Sequence, residues 1–139
     1  MNREIKFRVW DKVNYMSKPF TLDSLMRKHI QFTSDCPVMQ FTGLKDKNGK
    51  EIYEGDILRI VTESGRVESF ICKWGLHRRD MASGWTVDIP SFSFVNSDGF
   101  PTFPIVENYL NGHDLDIIEI IGNIYEHPHL LNSDNKPNN

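Results

Sequence analysis

The side chains best suited to chemistry sit late in the chain: His113, Asp114, Asp116 and Glu119, followed by His127-Pro128-His129. A zinc site needs three or four such groups converging at about 2.0–2.2 Å. The spacing follows no established ligand pattern, and Pro128 beside a polar tail argues for solvated side chains. Asp114, Asp116 and Glu119 offer carboxylates for Mg²⁺ and phosphoryl chemistry, but no glycine-rich phosphate loop accompanies them. On a strand, Glu119 would also point away from the other two. A small metal-dependent hydrolase built on these residues therefore lacks a phosphate site. Cys72 falls inside an apolar strand pattern, where cysteine behaves as a small hydrophobe. Cys36 precedes Pro37 with no histidine nearby in sequence to activate a thiolate. No catalytic constellation emerges, no cofactor or metal is called for, and the chain reads as a non-enzyme.

A second group combines cations with stacking surfaces: Lys73, Trp74, His77, Arg78, Arg79 and Trp85. These are the ingredients of single-stranded nucleic-acid binding, and Lys6, Arg8 and Trp10 on one strand face would extend the patch. Residues 1–100 hold 15 basic and 13 acidic side chains, and residues 101–139 hold one and six, so the positive excess is small and lies in the first part. Lys73, Trp74, Arg78, Arg79 and Trp85 are thus candidate contacts for a nucleic acid or a protein partner. Phe92, Phe94, Phe100 and Phe103 are expected to be buried, in this chain or against a copy of it.

These residues must be positioned by a predominantly β chain. Ile5, Phe7 and Val9 alternate with Lys6, Arg8 and Trp10, the period of a half-buried strand, and Tyr15 to Phe20 reads as its returning partner. Leu22, Leu25, Met26 and His29 have helical spacing behind Thr21, a fitting cap. Asp46-Lys47-Asn48-Gly49 contains the Asn-Gly pair of type I′ turns. Ile57 to Val61 and Val67 to Trp74 form a hairpin, with Phe70, Cys72 and Trp74 on one face. Gly75 to Gly84 reads as a loop, Trp85 to Val95 as strand pieces split by Pro90, and Phe100 to Pro104 as an irregular segment. A short helix is expected around Val106, Tyr109 and Leu110, and a closing strand over Ile117 to Tyr125 with a bulge or close contact at Gly122. Asn132 to Asn139 carries no apolar residue and is expected to be a disordered tail after one domain spanning residues 1–131.

Composition sets the wider bounds. The chain has 139 residues, 39% hydrophobic and 25% charged, with net charge −3, typical of a folded globular protein and unlike a bulk electrostatic nucleic-acid binder. No apolar run approaches the roughly 18 residues of a membrane span. Met1 to Lys6 has neither the apolar core nor the cleavage site of a leader, and two cysteines suit a reducing cytoplasm.

Three stretches taken together resemble one family. They are Arg3 to Asp11 (REIKFRVWD), Gln40 to Ile57 (QFTGLKDKNGKEIYEGDI) and Ile120 to Glu126 (IIGNIYE). In this order and spacing they are similar to the YopX family of phages and prophages, and the similarity runs from Arg3 to Leu131. The resemblance implies a phage or prophage origin, a location in the host cytoplasm and a homo-oligomer. It implies no enzymatic activity and supplies no catalytic residue. Gly43, Asp46, Gly49, Tyr53, Gly55, Asp56 and Gly122 also have an architectural reading: glycines where the chain turns, carboxylates that accept turn amides, and a packed phenol.

The expected fold is mainly β, or β-rich α+β. Its centre is a small SH3-like barrel over residues 38–74, closed by Ile117 to Tyr125, with further strands and one or two short helices. The expected function is a non-catalytic, self-assembling accessory protein that binds a phage or host protein. Single-stranded nucleic-acid binding is the alternative.

Overall fold

Period-two alternation dominates the sequence, and the computed structural model is correspondingly built of strands. It describes residues 4–12, 15–28, 32, 35–61, 64–96, 99, 101–105 and 117–130. Strands β1 (Phe7–Val9), β2 (Val38–Lys45) and β3 (Glu51–Tyr53) form an antiparallel sheet in that order. Phe7 pairs with Gln40 and Phe41 with Tyr53. The returning partner expected over Tyr15 to Phe20 is reduced to two bridges, Phe7 with Phe20 and Trp10 with Met16. Helix α1 (Leu22–Met26) follows, and Thr21 Oγ1 accepts the Ser24 amide at 3.2 Å. His29 lies outside the described residues.

The second sheet contains β4 (Asp56–Val61), β5 (Val67–Asp80), β6 (Thr86–Val95), β7 (Pro101–Ile105) and β8 (Ile118–Asn123). Its order is β7-β6-β5-β4-β8, all antiparallel. One face carries Leu58, Ile60, Phe70, Cys72, Phe92, Phe94 and Ile118, which bury against Ile52 of the first sheet. The expected parity of β5 and the burial of Phe92 and Phe94 match this face. Two smaller clusters lie under the first sheet. One joins Val9, Phe20 and Cys36; the other joins Met39, Phe41 and Tyr53, with Trp10 and Tyr125 against it.

The expected SH3-like barrel is corrected to two sheets. β2 ladders with β1 on one side and β3 on the other, while β4 and β5 enter the larger sheet, whose edges among the described strands are β7 and β8. Gly55, at φ +84°, turns the chain from one sheet into the other, so residues 38–74 do not close on themselves. Gly75 to Asp80 is strand rather than loop, and β6 runs unbroken through Pro90. Among the described residues β7 pairs only with Phe92 to Val95, which leaves β6 without a neighbour on that side at Pro90, where proline is tolerated. The proline-rich segment at 101–105 is a strand too, β7, at the edge of the sheet among the described strands. The Asn48-Gly49 turn is not type I′: Gly49 has φ +81°, but Asn48 is not among the residues of positive φ. The helix expected near Tyr109 and the polar tail lie outside the described residues. Among the described residues, no helix is long and apolar enough to cross a membrane.

Candidate functional site

The polar residues of the central motif meet where the two sheets join. Asp56 opens β4 and is 1% exposed. Its Oδ1 accepts Arg8 Nη2 from β1 at 2.7 Å, and its Oδ2 accepts the Tyr53 amide at 2.7 Å. Arg8 also donates to the Glu54 carbonyl at 3.3 Å, and its guanidinium lies 4.8 Å from the Tyr53 ring centre. Burial pushes the Asp56 carboxyl up from its ordinary value, against the opposing pull of Arg8 and the Tyr53 amide. Burial, with Glu51 beside it, likewise raises the Tyr53 phenol, which stays neutral. Lys6 pairs with Glu51 and sits over the Phe41 ring. Lys6 and Arg8 therefore belong to this joint and do not extend a basic surface. Three backbone bonds complete it: Glu54 N–H to the Gln40 carbonyl at 3.0 Å, Gly55 N–H to Cys72 at 2.8 Å and Ile124 N–H to Gly55 at 2.9 Å.

Asp46 makes a second tie. Its Oδ1 accepts the amides of Asn48 and Lys50, both at 2.9 Å, and so builds the β2–β3 turn. Its Oδ2 accepts the Ile120 amide of β8 at 2.9 Å, and Lys47 N–H reaches the Ile118 carbonyl at 2.9 Å. One carboxylate thus shapes the turn and covers the outer edge of β8, where unpaired strand groups would invite another chain. Gly43, at φ +90°, lies in the register shift of β2 between Phe41 and Lys45. Burial would raise the Asp46 carboxyl, but the amides of Ile120, Lys50 and Asn48 outweigh it and hold it below its ordinary value. Asp46→Asn places an N–H donor where an amide now donates, and we expect it to cost about 1–2 kcal/mol in urea unfolding at pH 7. Because the folded carboxyl is the stronger acid, this contribution is complete above its unfolded pKa of about 4 and is lost as pH falls through the folded value. The gap between wild type and variant should therefore close in acid. A gap constant from pH 7 to pH 3 would contradict the assignment.

His127 serves the turn after β8. Asn123 Oδ1 accepts the amides of Tyr125 and Glu126, and His127 Nδ1 accepts the Asn123 amide at 3.2 Å. Gly122 sits at the register shift between β8 and β4, and a Cβ there would lie 2.7 Å from His127 Nδ1. Gly122→Ala should displace the imidazole and strand the Asn123 amide, costing about 1–3 kcal/mol. His127→Ala in that background should recover part of the loss in thermal melting; simple additivity would reject the contact. The rings of His127 and His129 are 6.1 Å apart, and Glu119 is held by Lys47 and Arg59, each at 3.1 Å. Among the described residues, no three His, Cys, Asp or Glu side chains converge on a metal position. His113, Asp114 and Asp116 lie outside them. Cys72 is 1% exposed, and burial raises its thiol well above the ordinary value, away from a thiolate. Cys36 is buried in the cluster of Val9 and Phe20.

The five candidate binding residues all lie on the β5–β6 hairpin, whose outer part projects as a two-stranded ribbon. From Lys73 to Asp88 every side chain whose burial is described is exposed. Pairing runs from Trp74 with Phe92, through Leu76 with Pro90 and Arg78 with Asp88, to Asp80 with Thr86. Partners directly opposite share a face, so Trp74, Leu76 and Arg78 lie on one side and Lys73 on the other. Arg79 enters through its backbone pairing with Val87. Trp85 is at the tip, where Met81 N–H reaches the Trp85 carbonyl at 2.7 Å and Gly84 has φ +91°. It lies beyond the Asp80–Thr86 pair, six positions from Trp74, about 20 Å along the ribbon. The candidates therefore form no single patch. Arg78 is also occupied: Asp88 accepts from its Nε at 3.1 Å, and that hydrogen bond holds the Asp88 carboxyl low. The sequence reading missed Leu76, 72% exposed, along with Met81, because it treated Gly75 to Gly84 as loop.

At the ribbon's base a cleft of about 190 Å³ opens between Met39, Gly55, Cys72, Trp74 and Tyr125, with Lys73 and Glu54 also on its walls. Trp74 meets Phe92 edge-on at 4.9 Å between ring centres, and Tyr125 stacks on Trp10 at 6.2 Å. Glu54 is engaged, its Oε1 accepting the Gln40 amide at 3.0 Å.

No curated protein matches the chain. Its structure is similar to the crystal structure of protein EF1440 from Enterococcus faecalis, at 23% sequence identity and a TM-score of 0.49, over 94% of this chain and 99% of that one. The family model described as YopX protein matches residues 15–132, which include the ribbon, the closing strand and the Glu51 to Asp56 side of the joint, but not Lys6 and Arg8 of β1. The chain belongs to the YopX family.

Proposed function

We propose that this protein is a non-catalytic accessory protein of phage or prophage, acting in the host cytoplasm as a self-associating module that binds a protein partner through the β5–β6 ribbon. One observation carries the reading: the ribbon leaves Trp74, Leu76, Met81 and Trp85 between 47% and 74% exposed. A two-stranded ribbon is at best marginal alone in water, and large apolar side chains on one mark an interaction surface. Charge favours a protein over a nucleic acid. Lys73, Arg78 and Arg79 are offset by Asp80 and Asp88 within the same ribbon, and Arg78 is already paired.

Affinity capture of the tagged protein from cells carrying the phage or prophage, with and without nuclease, tests this. Protein partners that survive nuclease support it. Partners lost with nuclease, or co-purifying single strands released by salt, would favour nucleic-acid binding through Lys73, Trp74, Arg78, Arg79 and Trp85 instead. Light scattering of the purified protein tests self-association, and a monomer at all concentrations would remove that part.

A further inference from the structure

We propose that the outer edge of β5, from Trp74 to Asp80, receives an extended segment of the protein partner as an added antiparallel strand. Its acidic side chains lie on the face of Lys73, His77 and Arg79, and its apolar ones on the face of Trp74 and Leu76. The inference rests on the protein-binding reading and names the form and chemistry of what binds. β4 ladders with β5 only from Val67 to Ile71. The Cys72 carbonyl points to the same side, where it accepts the Gly55 amide at 2.8 Å, and at the tip the Met81 amide points the other way, to the Trp85 carbonyl. Strand alternation therefore turns the N–H and C=O groups of Trp74, Leu76, Arg78 and Asp80 outward, where no strand pairs with them among the described residues. The other outer edges of this sheet are guarded. Asp46 and Lys47 bond to β8, Pro101 and Pro104 lie in β7, and Pro90 removes a donor from β6. β5 carries no proline from Lys73 to Asp80, and an open edge of this length is a template for another chain.

Charge selects the occupant. By register, Lys73, Gly75, His77 and Arg79 share one face of the ribbon with Ser93, Ser91, Ile89 and Val87, so the ribbon supplies cations and no carboxylate there. Asp80 and Asp88 belong to the other face, with Trp74, Leu76 and Arg78, and Asp88 already pairs with Arg78. Glu54 shares the cleft wall with Lys73 at the inner end, so the demand for an acid is greatest toward Arg79. A strand alternating acidic and apolar residues meets both faces at once. A second copy of β5 fits poorly. The two-fold pairings that use most of this edge are centred on Leu76 or His77; they set Asp80 opposite Cys72 or Trp74, never a cation, and the first sets Lys73 opposite Arg79.

The test is an NMR titration of ¹⁵N-labelled full-length protein with the peptide N-acetyl-Glu-Val-Glu-Val-Glu-Val-Glu-amide and its lysine-for-glutamate counterpart. Two further forms of the acidic peptide are N-methylated at every valine or at the internal glutamates. In antiparallel pairing the residues that bond to β5 share the face of Trp74 and Leu76, here the valines. We expect saturating shifts and slowed hydrogen exchange at the amides of Trp74, Leu76, Arg78 and Asp80. Methylated valines should weaken binding about tenfold or more, methylated glutamates should leave it within about twofold, and the lysine peptide should bind about threefold or more weaker. Leu76→Pro deletes one outward donor, directly opposite Pro90, and should weaken binding about tenfold; Leu76→Ala keeps that donor and should retain most of it. No saturating shift, insensitivity to valine methylation, loss on glutamate methylation, or equal binding of the acidic and basic peptides would overturn the proposal. So would concentration-dependent protection of the same amides without peptide, which would give the edge to a second copy. Any of these alongside nuclease-resistant capture through the ribbon would reject the strand addition alone. Loss of that capture as well would reject the protein-binding reading.

Discussion

Arg8→Ala should lower the unfolding free energy by about 3–5 kcal/mol, the largest loss expected from any one polar side chain of the joint. Asp56 is 1% exposed, and Arg8 is the cation paired with it. Removing the guanidinium leaves a buried carboxylate with only the Tyr53 amide, and also strips the cation from the Tyr53 ring. A double-mutant cycle identifies the cause. Asp56→Asn alone keeps an oxygen for the Tyr53 amide but turns its NH2 group toward Arg8 and leaves that guanidinium unpaired, so it should itself cost about 3 kcal/mol. In the Arg8→Ala background it should cost nothing or stabilise, because no buried charge remains unpaired. The pH dependence has a defined sign. Burial already raises the folded Asp56 carboxyl, and loss of Arg8 raises it further, so the folded variant binds a proton before the unfolded chain does. Its deficit should be greatest near pH 7 and shrink as pH falls toward the unfolded value of about 4. Urea midpoints across this range measure it, and equal deficits at both ends would refute the pairing.

The second large effect concerns binding. Leu76→Asp with Trp85→Ser should reduce capture of the partner about tenfold or more while changing stability by no more than about 0.5 kcal/mol. Both side chains are more than 70% exposed on a ribbon beyond the buried face of the sheet. The folded chain gains little from them, and a polar replacement leaves no cavity. An interface built on them would lose two large anchors and must also desolvate a new charge. A fall in capture matched by a fall in the urea midpoint would place these residues in the fold instead of at a contact surface.

These divisions were unevenly legible in the sequence. Alternation located β1, β4 and the first half of β5 because one face of each is buried, and the contrast between Phe70 or Cys72 and their neighbours is the mark of that burial. Thr21 and Gly122 were readable because capping and bulge formation depend on local residue chemistry. The ribbon was readable in one strand only: Trp85 to Ile89 read as a strand piece, whereas Gly75 to Asp80, where every side chain whose burial is described is exposed, shows no hydropathic contrast between faces. Pairing of Arg78 with Asp88 across the ribbon was the available signal. β7 was hidden by Pro101 and Pro104, which an edge position accommodates. The barrel expectation failed because closure depends on pairings distant in sequence. The same limit affected Lys6 and Arg8: alternation placed them on one face, but only the fold sets Glu51 and Asp56 opposite them.

Site-specific photocrosslinking tests the central claim, contact with a protein through the ribbon, most directly. A benzophenone side chain is placed at position 76 or 85 on the ribbon, or at the exposed Val67 near the start of β5 as a control. Irradiation in cells carrying the phage or prophage should yield a discrete, nuclease-resistant protein adduct from positions 76 and 85 and none from 67. An adduct from 67 alone, or nuclease-sensitive adducts from the ribbon, would contradict it.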